Sequence, residues 1–344
     1  MKRNILLVAL VLFFAVGAGT AHALLPMPEE PGFSGNIVLG VQASKFSNNL
    51  ISGTDLGDLT DDTVDDLFDK PDEEDATSGL VSGSFRYTFP SLKTQLVFGN
   101  VIADLARYEF NSVLGVRQDF GNTGIIGISG LFSSIPTEVW KDPYVVGTKR
   151  SVTDRSSAGV RLDWEGIAGT NLDFRYSMRQ VEVDDEQSGT FLGLLPAEQD
   201  LLDREGDQST VELLYTLKLS DTDTLVPNLE FTNFDKDGGA MSGDLYILKL
   251  SYIHWVERFS IVANGSFGSS EYDEVNPVFT PTITGKREDD RFSVGVTGTY
   301  HFVPFGLDGW SIFADILYFE EDSNIDFYDT EITNFRLGAI YAFK

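Results

Sequence analysis

The sequence contains no cysteine and only three histidines, His22, His254 and His301. Without cysteine there is no disulfide framework, no thiolate nucleophile and no zinc–thiolate site. Basic residues are scarce too: 25 against 53 acidic ones leave a formal charge of −28. That balance repels phosphate backbones and anionic surfaces, so nucleic acid is excluded as a partner. Long apolar runs are also missing. The best of them, Ile5 to Val16, is shorter than the ~20 residues a helix needs to cross a bilayer. No GxSxG, HExxH or phosphate loop stands in a fitting context.

What remains is ample for folding: 344 residues, 42% of them hydrophobic and 12% aromatic. Residues 1–23 read as a secretory signal, with basic Lys2 and Arg3, the apolar run, and Ala21-His22-Ala23 as a small-x-small cleavage site. Cleavage after Ala23 leaves a short periplasmic segment, 24–32, ahead of a single folded unit over 33–344.

From Phe33 the apolar residues recur in twos. Phe33, Gly35, Ile37, Leu39, Val41 and Ala43 alternate with Ser34, Asn36, Gly40, Gln42 and Ser44, the mark of a strand with one apolar face. Fourteen such segments follow one another, near 33–46, 79–89, 94–102, 107–119, 123–134, 155–165, 171–181, 208–220, 223–233, 243–254, 258–270, 291–302, 310–320 and 332–343, with twelve as the alternative count. Most run to about ten residues or more, long enough to cross a membrane at a tilt, where sandwich strands average about five or six. Tight turns such as Gly121-Asn122 and Val256-Glu257 alternate with long excursions at 47–77, 135–154, 182–207 and 271–290. The expected fold is therefore all-β: one transmembrane antiparallel barrel, with short periplasmic turns and long acidic extracellular loops. Charge segregates with loop length. The stretches 47–77, 182–207, 271–290 and 320–331 hold a formal −28 of the mature chain's −30, so the strands are nearly neutral as a set.

The chain ends NFRLGAIYAFK, in which Phe335, Leu337, Ala339, Tyr341 and Phe343 share one face. It resembles the terminal strand by which outer-membrane barrels are recognised by their assembly machinery, with Tyr341 and Phe343 as the aromatic signal and Lys344 following it. An open edge in hydrocarbon would strand backbone groups, so this strand is expected to close on the first, near Ile37. The stretches EPGFSG (30–35), TQLVFGN (94–100), TEVWKDPYVVG (137–147), TDR (153–155), DREGD (203–207), DGGAMSGD (237–244) and EDSNIDFYD (321–329) resemble those of a family of Gram-negative outer-membrane proteins known as a domain of unknown function. The resemblance covers the mature chain and implies a single-domain barrel in the outer membrane. It brings no activity, substrate or catalytic residue with it.

Candidate sites come from the inward face. Arg86, Arg117, Arg161, Arg175, Arg179, Lys218, Lys249, Arg291 and Arg336 share it with Glu109, Asp163, Asp173, Glu212, Glu230 and Asp315, and are expected to line a lumen. Inward glycines at 40, 99, 115, 159 and 295 favour an open or narrowly filled interior. These residues suit a passive, porin-like diffusion channel for small polar or charged solutes, in which guanidinium groups orient carboxylates, phosphates or sulfates. The alternative is a plugged structural or adhesin-like barrel without transport. A third reading, a barrel lipid hydrolase, needs a histidine base on the outer side, whereas His254 and His301 both fall at the short-turn side. The protein is accordingly read as a non-enzyme without a resident cofactor. Weak surface Ca2+ or Mg2+ sites are open at Asp61, Asp62, Asp65 and Asp66, which with Asp58 and Asp69 would form one carboxylate stripe on a short helix over the mouth. Expected partners are outer-membrane lipid and lipopolysaccharide, the barrel-assembly machinery, and a small polar or charged solute.

Overall fold

A computed structural model describes residues 27–54, 57–60, 63–100, 110–302 and 308–344. Among these, fourteen long antiparallel strands form a closed barrel wall. They are β1 (Gly32–Ser47), β2 (Glu74–Phe89), β3 (Thr94–Asn100), β4 (Phe110–Asp119), β5 (Ile125–Ile135), β6 (Val152–Glu165), β7 (Leu172–Val183), β8 (Gly206–Tyr215, continued by Leu217–Lys218), β9 (Asp223–Lys236), β10 (Gly243–Val256), β11 (Phe259–Tyr272), β12 (Glu288–Phe302), β13 (Trp310–Ser323) and β14 (Thr330–Phe343). The signal segment and its cleavage site lie outside the described residues, as do Glu109, Asp61 and Asp62.

Each strand pairs with its sequence neighbours, and β14 closes on β1 over a long register from Gly35 opposite Phe343 to Ser47 opposite Glu331. Ile37 faces Tyr341, as the terminal pattern requires. Closure satisfies the backbone groups of both edges, the condition for a sheet to stand in hydrocarbon. At the seam two inward glycines, Gly40 and Gly338, face each other. A β-carbon on Gly338 would sit 2.5 Å from the Leu39 carbonyl oxygen and 2.7 Å from the Phe313 ring. The close approach is possible because neither residue has a side chain, and Phe313 fills the space that remains. Of the open or narrowly filled interior that inward glycine allowed, the filled one holds here: the glycines admit a neighbour's ring.

The outer surface is apolar along the strands. Phe33, Leu39, Val41, Val81, Leu114, Ile128, Val160, Leu229, Leu248, Ile316, Phe335 and Leu337 are all exposed there, while their sequence neighbours turn inward. A continuous apolar band on a closed barrel is a lipid-facing surface. Aromatic rings border it at both ends: Phe33 with Tyr87, Phe259 with Tyr300, and Trp310 with Tyr341 toward the short turns, and Phe231 with Tyr246 and Phe267 with Phe292 toward the long loops. Such girdles sit at the two membrane–water boundaries.

The strands run further toward the long-loop end than the alternation indicated. Glu74 and Asp75 pair with Phe46 and Lys45, and Asp289 and Asp290 pair with Ser323 and Asp322. Above the lipid a strand keeps its hydrogen bonds without needing an apolar face, so pairing continues where the pattern stops. Much of the acidic charge assigned to loops therefore belongs to a raised rim.

The long loops fold over that rim. Segment Ile51–Thr54 pairs with Thr137–Trp140, which pairs in turn with Val152 to Arg155. Tyr144, Leu202, Ala240, Phe279, Ile325, Phe327 and Tyr328, from separate loops, form one buried cluster against Leu67, Leu192, Leu194 and Ile283. The long acidic loops thus make a dome with its own core. At roughly 1.5–3 kcal/mol for a fully buried large apolar side chain, the gross stabilisation is on the order of 10 kcal/mol. The carboxylate-striped helix expected near 58–69 is not among the elements formed by its described residues: Gly57–Asp58 is a short strand, and Asp65 and Asp66 are exposed in irregular backbone.

Candidate functional site

The barrel's stagger places the inward charges on one path. Gln95 faces Arg117, Arg117 faces Gly127, Gly127 faces Asp163, Asp163 faces Arg175, and Arg175 faces Glu212. The same row passes through Glu230, Ile247 and Gly268 to Arg291 and Glu321. It leaves β1 at Gly32, near the short turns, and reaches β14 at Thr330, its first residue on the loop side. A row of facing residues in a tilted barrel climbs the wall as a spiral. The charges therefore wind from one end of the interior to the other.

Along that spiral the charges interlock. Arg117 grips Glu165 through Nε at 3.0 Å and Nη2 at 2.5 Å, and donates to Gln95 Oε1 at 2.7 Å. Arg161 Nε and Arg175 Nε lie 2.9 and 2.7 Å from the two oxygens of Asp163. Arg175 Nη1 reaches Glu212 Oε1 at 3.1 Å, while the Asn228 amide donates to Glu212 Oε2 at 3.0 Å. Glu212 and Glu230 face each other across β8 and β9, a like-charge contact that costs stability on its own. Arg175 on one side and Lys249, ion-paired to Glu230, on the other offset it. Toward the dome Arg291 pairs with Glu321, and Arg287 pairs with both Glu321 at 3.1 Å and Asp289 at 2.8 Å. Off this path, Arg336 Nη2 stands 2.5 Å from Asp315 Oδ1, and Thr297 donates to Asp315 Oδ2 at 2.7 Å.

Parity thus brought together most of the expected wall residues: Arg117, Arg161, Asp163, Arg175, Glu212, Lys249 and Arg291 sit in the inner network, and Arg336 faces inward in a separate pair with Asp315. Arg86 is half-buried within electrostatic reach of Arg117 and Glu165, and Arg179 is half-buried on β7. Lys218 stands apart, exposed at the turn end of β8. Arg175, Lys249 and Glu230 each keep about a tenth of their side-chain surface open, at 10%, 10% and 9%. A wide aqueous bore would leave such tips freely wetted, so the interior is constricted at this level.

The second part of the site is the hub beneath the dome, which periodicity did not reveal. The Tyr328 hydroxyl lies 2.6 Å from that of Tyr144 and accepts from the Asn276 amide at 2.5 Å. The Arg287 guanidinium lies 3.9 Å from the Tyr328 ring centre and 4.4 Å from that of Tyr272, a double cation–π contact. Asp142 ties a neighbouring loop by accepting from the amides of Gly189 at 3.1 Å and Phe191 at 2.8 Å. Burial pushes the Tyr144 phenol up and the Tyr328 phenol well up, so both hydroxyls stay neutral in the closed dome. One signal was available in the sequence: EDSNIDFYD embeds Ile325, Phe327 and Tyr328 in an otherwise polar stretch.

Outside the lumen, carboxylate oxygens of Asp203, Glu205 and Asp237 lie within 4.8 Å of one another. The group adjoins a polar cleft of about 330 Å³ lined by Gln180, Glu182, Asp207 and Asp235. Oxygen ligands so close can share a hard divalent cation. This trio, from the rim between β7 and β10, differs from the aspartates the sequence suggested. His254 and His301 lie where expected, at the short-turn end and away from the dome. His254 Nδ1 is 2.7 Å from Asp223 Oδ1, and His301 Nδ1 is 2.8 Å from Ser311 Oγ.

A closed fourteen-strand barrel with an apolar girdle, an ion-paired interior and a domed mouth is an integral membrane barrel in class. The family described as a protein of unknown function, DUF2860, matches residues 32–342, and the chain belongs to it. No curated protein matches the chain. Among solved structures it is similar to a Pseudomonas aeruginosa FadL homologue, with 11% identity, 90% of each chain covered and a TM-score of 0.49. It is also similar to an outer-membrane channel of Pseudomonas putida F1, with 8% identity, 95% and 99% coverage and a TM-score of 0.45. A third similar structure is the outer-membrane channel DcaP of Acinetobacter baumannii, with 9% identity, 91% and 98% coverage and a TM-score of 0.43.

Proposed function

We propose that this protein is a narrow diffusion channel of the outer membrane for small polar solutes, closed on its outer side by the loop dome. The observation that carries the reading is the inner wall. It is polar along most of its length, apart from apolar clusters toward the short turns such as Leu214, Val226, Ile253 and Val262, and several of its buried atoms lack a hydrogen-bond partner among the described residues: Asn36 Oδ1, Ser82 Oγ, Ser260 Oγ and both polar atoms of Asn264. Buried polar groups left unpaired are costly, so a wall built this way calls for water, and a hydrated interior is a path. The protein acts without catalysis in this reading. Its outward contacts are with membrane lipid and lipopolysaccharide.

The test is conductance of the purified full chain in planar bilayers, for the natural protein and for Tyr328→Ala, which unlatches the dome. Measurable conductance is expected, larger in the variant. The acidic rim collects cations where screening is weak, so reversal potentials should lean to cations in dilute salt and lose that lean in concentrated salt, where the Debye length falls from about 30 Å at 0.01 M to about 3 Å at 1 M. The closed dome itself favours a second reading, a plugged structural barrel. Silence from both proteins in every salt gradient would establish that one instead.

The terminal strand serves as the assembly signal in the same proposal. Tyr341 packs on Trp310 with ring centres 5.0 Å apart, and Phe343 on Phe85 at 5.9 Å. Tyr341→Ser with Phe343→Ser should leave little barrel in cell membranes, yet allow refolding from urea into detergent, because the backbone pairing to β1 and β13 remains. Normal membrane levels of the double variant would remove the signal role; failure in both settings would reduce it to simple instability.

A further inference from the structure

One patch of the inner wall differs from the rest. Asn228 on β9 faces Lys249 on β10, and Lys249 faces Ser266 on β11. Two residues nearer the short turns Ser251 faces Asn264, which faces Gly295, a residue that adds no side chain. Asn228, Ser251, Asn264 and Lys249 are 3%, 3%, 4% and 8% exposed.

The charges at this patch are already matched. Lys249 pairs with Glu230, and Glu212 is held by Arg175 and by the Asn228 amide. Two bases against two acids leave no net charge to attract an ion. The amides are not matched. Asn264 has no partner for either Nδ2 or Oδ1, and Asn228 has none for Oδ1, among the described residues. The open valences are thus one N–H donor group and two carbonyl acceptors, all uncharged.

We infer that this patch, between β9 and β12, binds a small uncharged hydrogen-bonding solute such as a polyol, with Asn228 and Asn264 as the residues that recognise it. The inference rests on the channel reading above. In a hydrated bore water would satisfy these valences, and a solute hydroxyl would replace it with little loss, since it donates and accepts as water does. A charged solute has to shed tightly held water and finds no unpaired counter-charge in return. The ladder therefore builds a polar wall without selecting ions, and the two amides choose the cargo. This reverses the expectation that the arginines would draw carboxylates or phosphates.

Swelling of proteoliposomes carrying the full chain tests it, with glucose, sodium gluconate and N-methylglucamine chloride as probes of similar size, and potassium chloride conductance in bilayers as control. Glucose is expected to enter severalfold faster than either salt. Asn264→Leu should slow glucose roughly tenfold, as loss of a hydrogen-bonding pair at a recognition site does, and should lower glucose entry more than it lowers potassium chloride conductance. Asn264→Asp, which keeps the shape and adds a fixed negative charge, should instead raise N-methylglucamine entry over gluconate. Both variants are checked for heat-modifiable migration, so a folding failure is recognised as such. Conductance with glucose no faster than gluconate, or with glucose entry indifferent to both variants, overturns this inference and leaves the channel. No conductance and no swelling at all overturns the channel reading, and the site falls with it.

Discussion

Tyr328→Ala should convert a nearly closed barrel into an open one, with single-channel conductance rising several-fold and the outer loops becoming accessible to protease. The effect is large because Tyr328 is shared by three loops. Its ring packs on Phe279 with centres 5.8 Å apart and on Phe327 at 5.2 Å, carries Arg287 at 3.9 Å, and its hydroxyl meets Tyr144 and Asn276. Removing a buried aromatic of this size costs about 3–5 kcal/mol. The dome's gross packing is on the order of 10 kcal/mol before loop entropy is subtracted, so little net closure would survive. Tyr328→Phe separates the two contributions. It keeps the ring and loses the hydroxyl, so it should open the mouth only slightly. An alanine variant with natural conductance and protease resistance would show that the dome is held elsewhere.

The same hub gives a pH dependence with a definite sign. Burial raises the Tyr328 and Tyr144 phenols above their ordinary value of about 10. A group whose closed-state value is raised contributes its full share below its ordinary value and loses it as pH climbs, because the opened state ionises first. The dome should thus hold at neutral and acid pH and loosen above roughly pH 10. Tyr144→Phe should blunt that loosening.

The barrel wall was legible because a membrane strand must put an apolar side chain outward at every second residue. Parity then assigned Arg161, Asp163, Arg175 and Glu212 to the interior without any structure. Two features escaped for physical reasons. Above the lipid the outward face no longer has to be apolar, so strand ends such as Glu74-Asp75 and Asp289-Asp290 look like loop although they remain paired. The dome escaped because its contacts join residues far apart in sequence, Tyr144 to Tyr328 and Asn49 to Phe327, and its elements are too short to show a period. Burial of the inner charges also had to be seen. Alternation says which way Arg336 points, and says nothing of whether a carboxylate meets it.

Arg336 leads to the second large effect. Its side chain is 1% exposed and that of Asp315 is fully covered, which makes this the most enclosed ion pair among those described. It is also isolated. Arg175 can be lost while Asp163 keeps Arg161 and Glu212 keeps Asn228, but among the described residues Asp315 has Thr297 as its one other donor. Arg336→Met should therefore leave a carboxylate buried with one hydroxyl, at a cost of about 3–5 kcal/mol, enough to lower sharply the urea midpoint of the refolded barrel. Val38, Phe313 and Ile340 form an apolar cluster on the same inner wall, with Phe313 and Ile340 on the two strands that carry the pair. An apolar replacement of both partners fits that setting. Asp315→Leu with Arg336→Met should recover most of the lost stability, since no charge is then buried unpaired, and such exchanges are often neutral or stabilising by about 1–4 kcal/mol. Equal losses in the single and double variants would mean that the pair itself, and not the orphaned charge, holds β13 to β14.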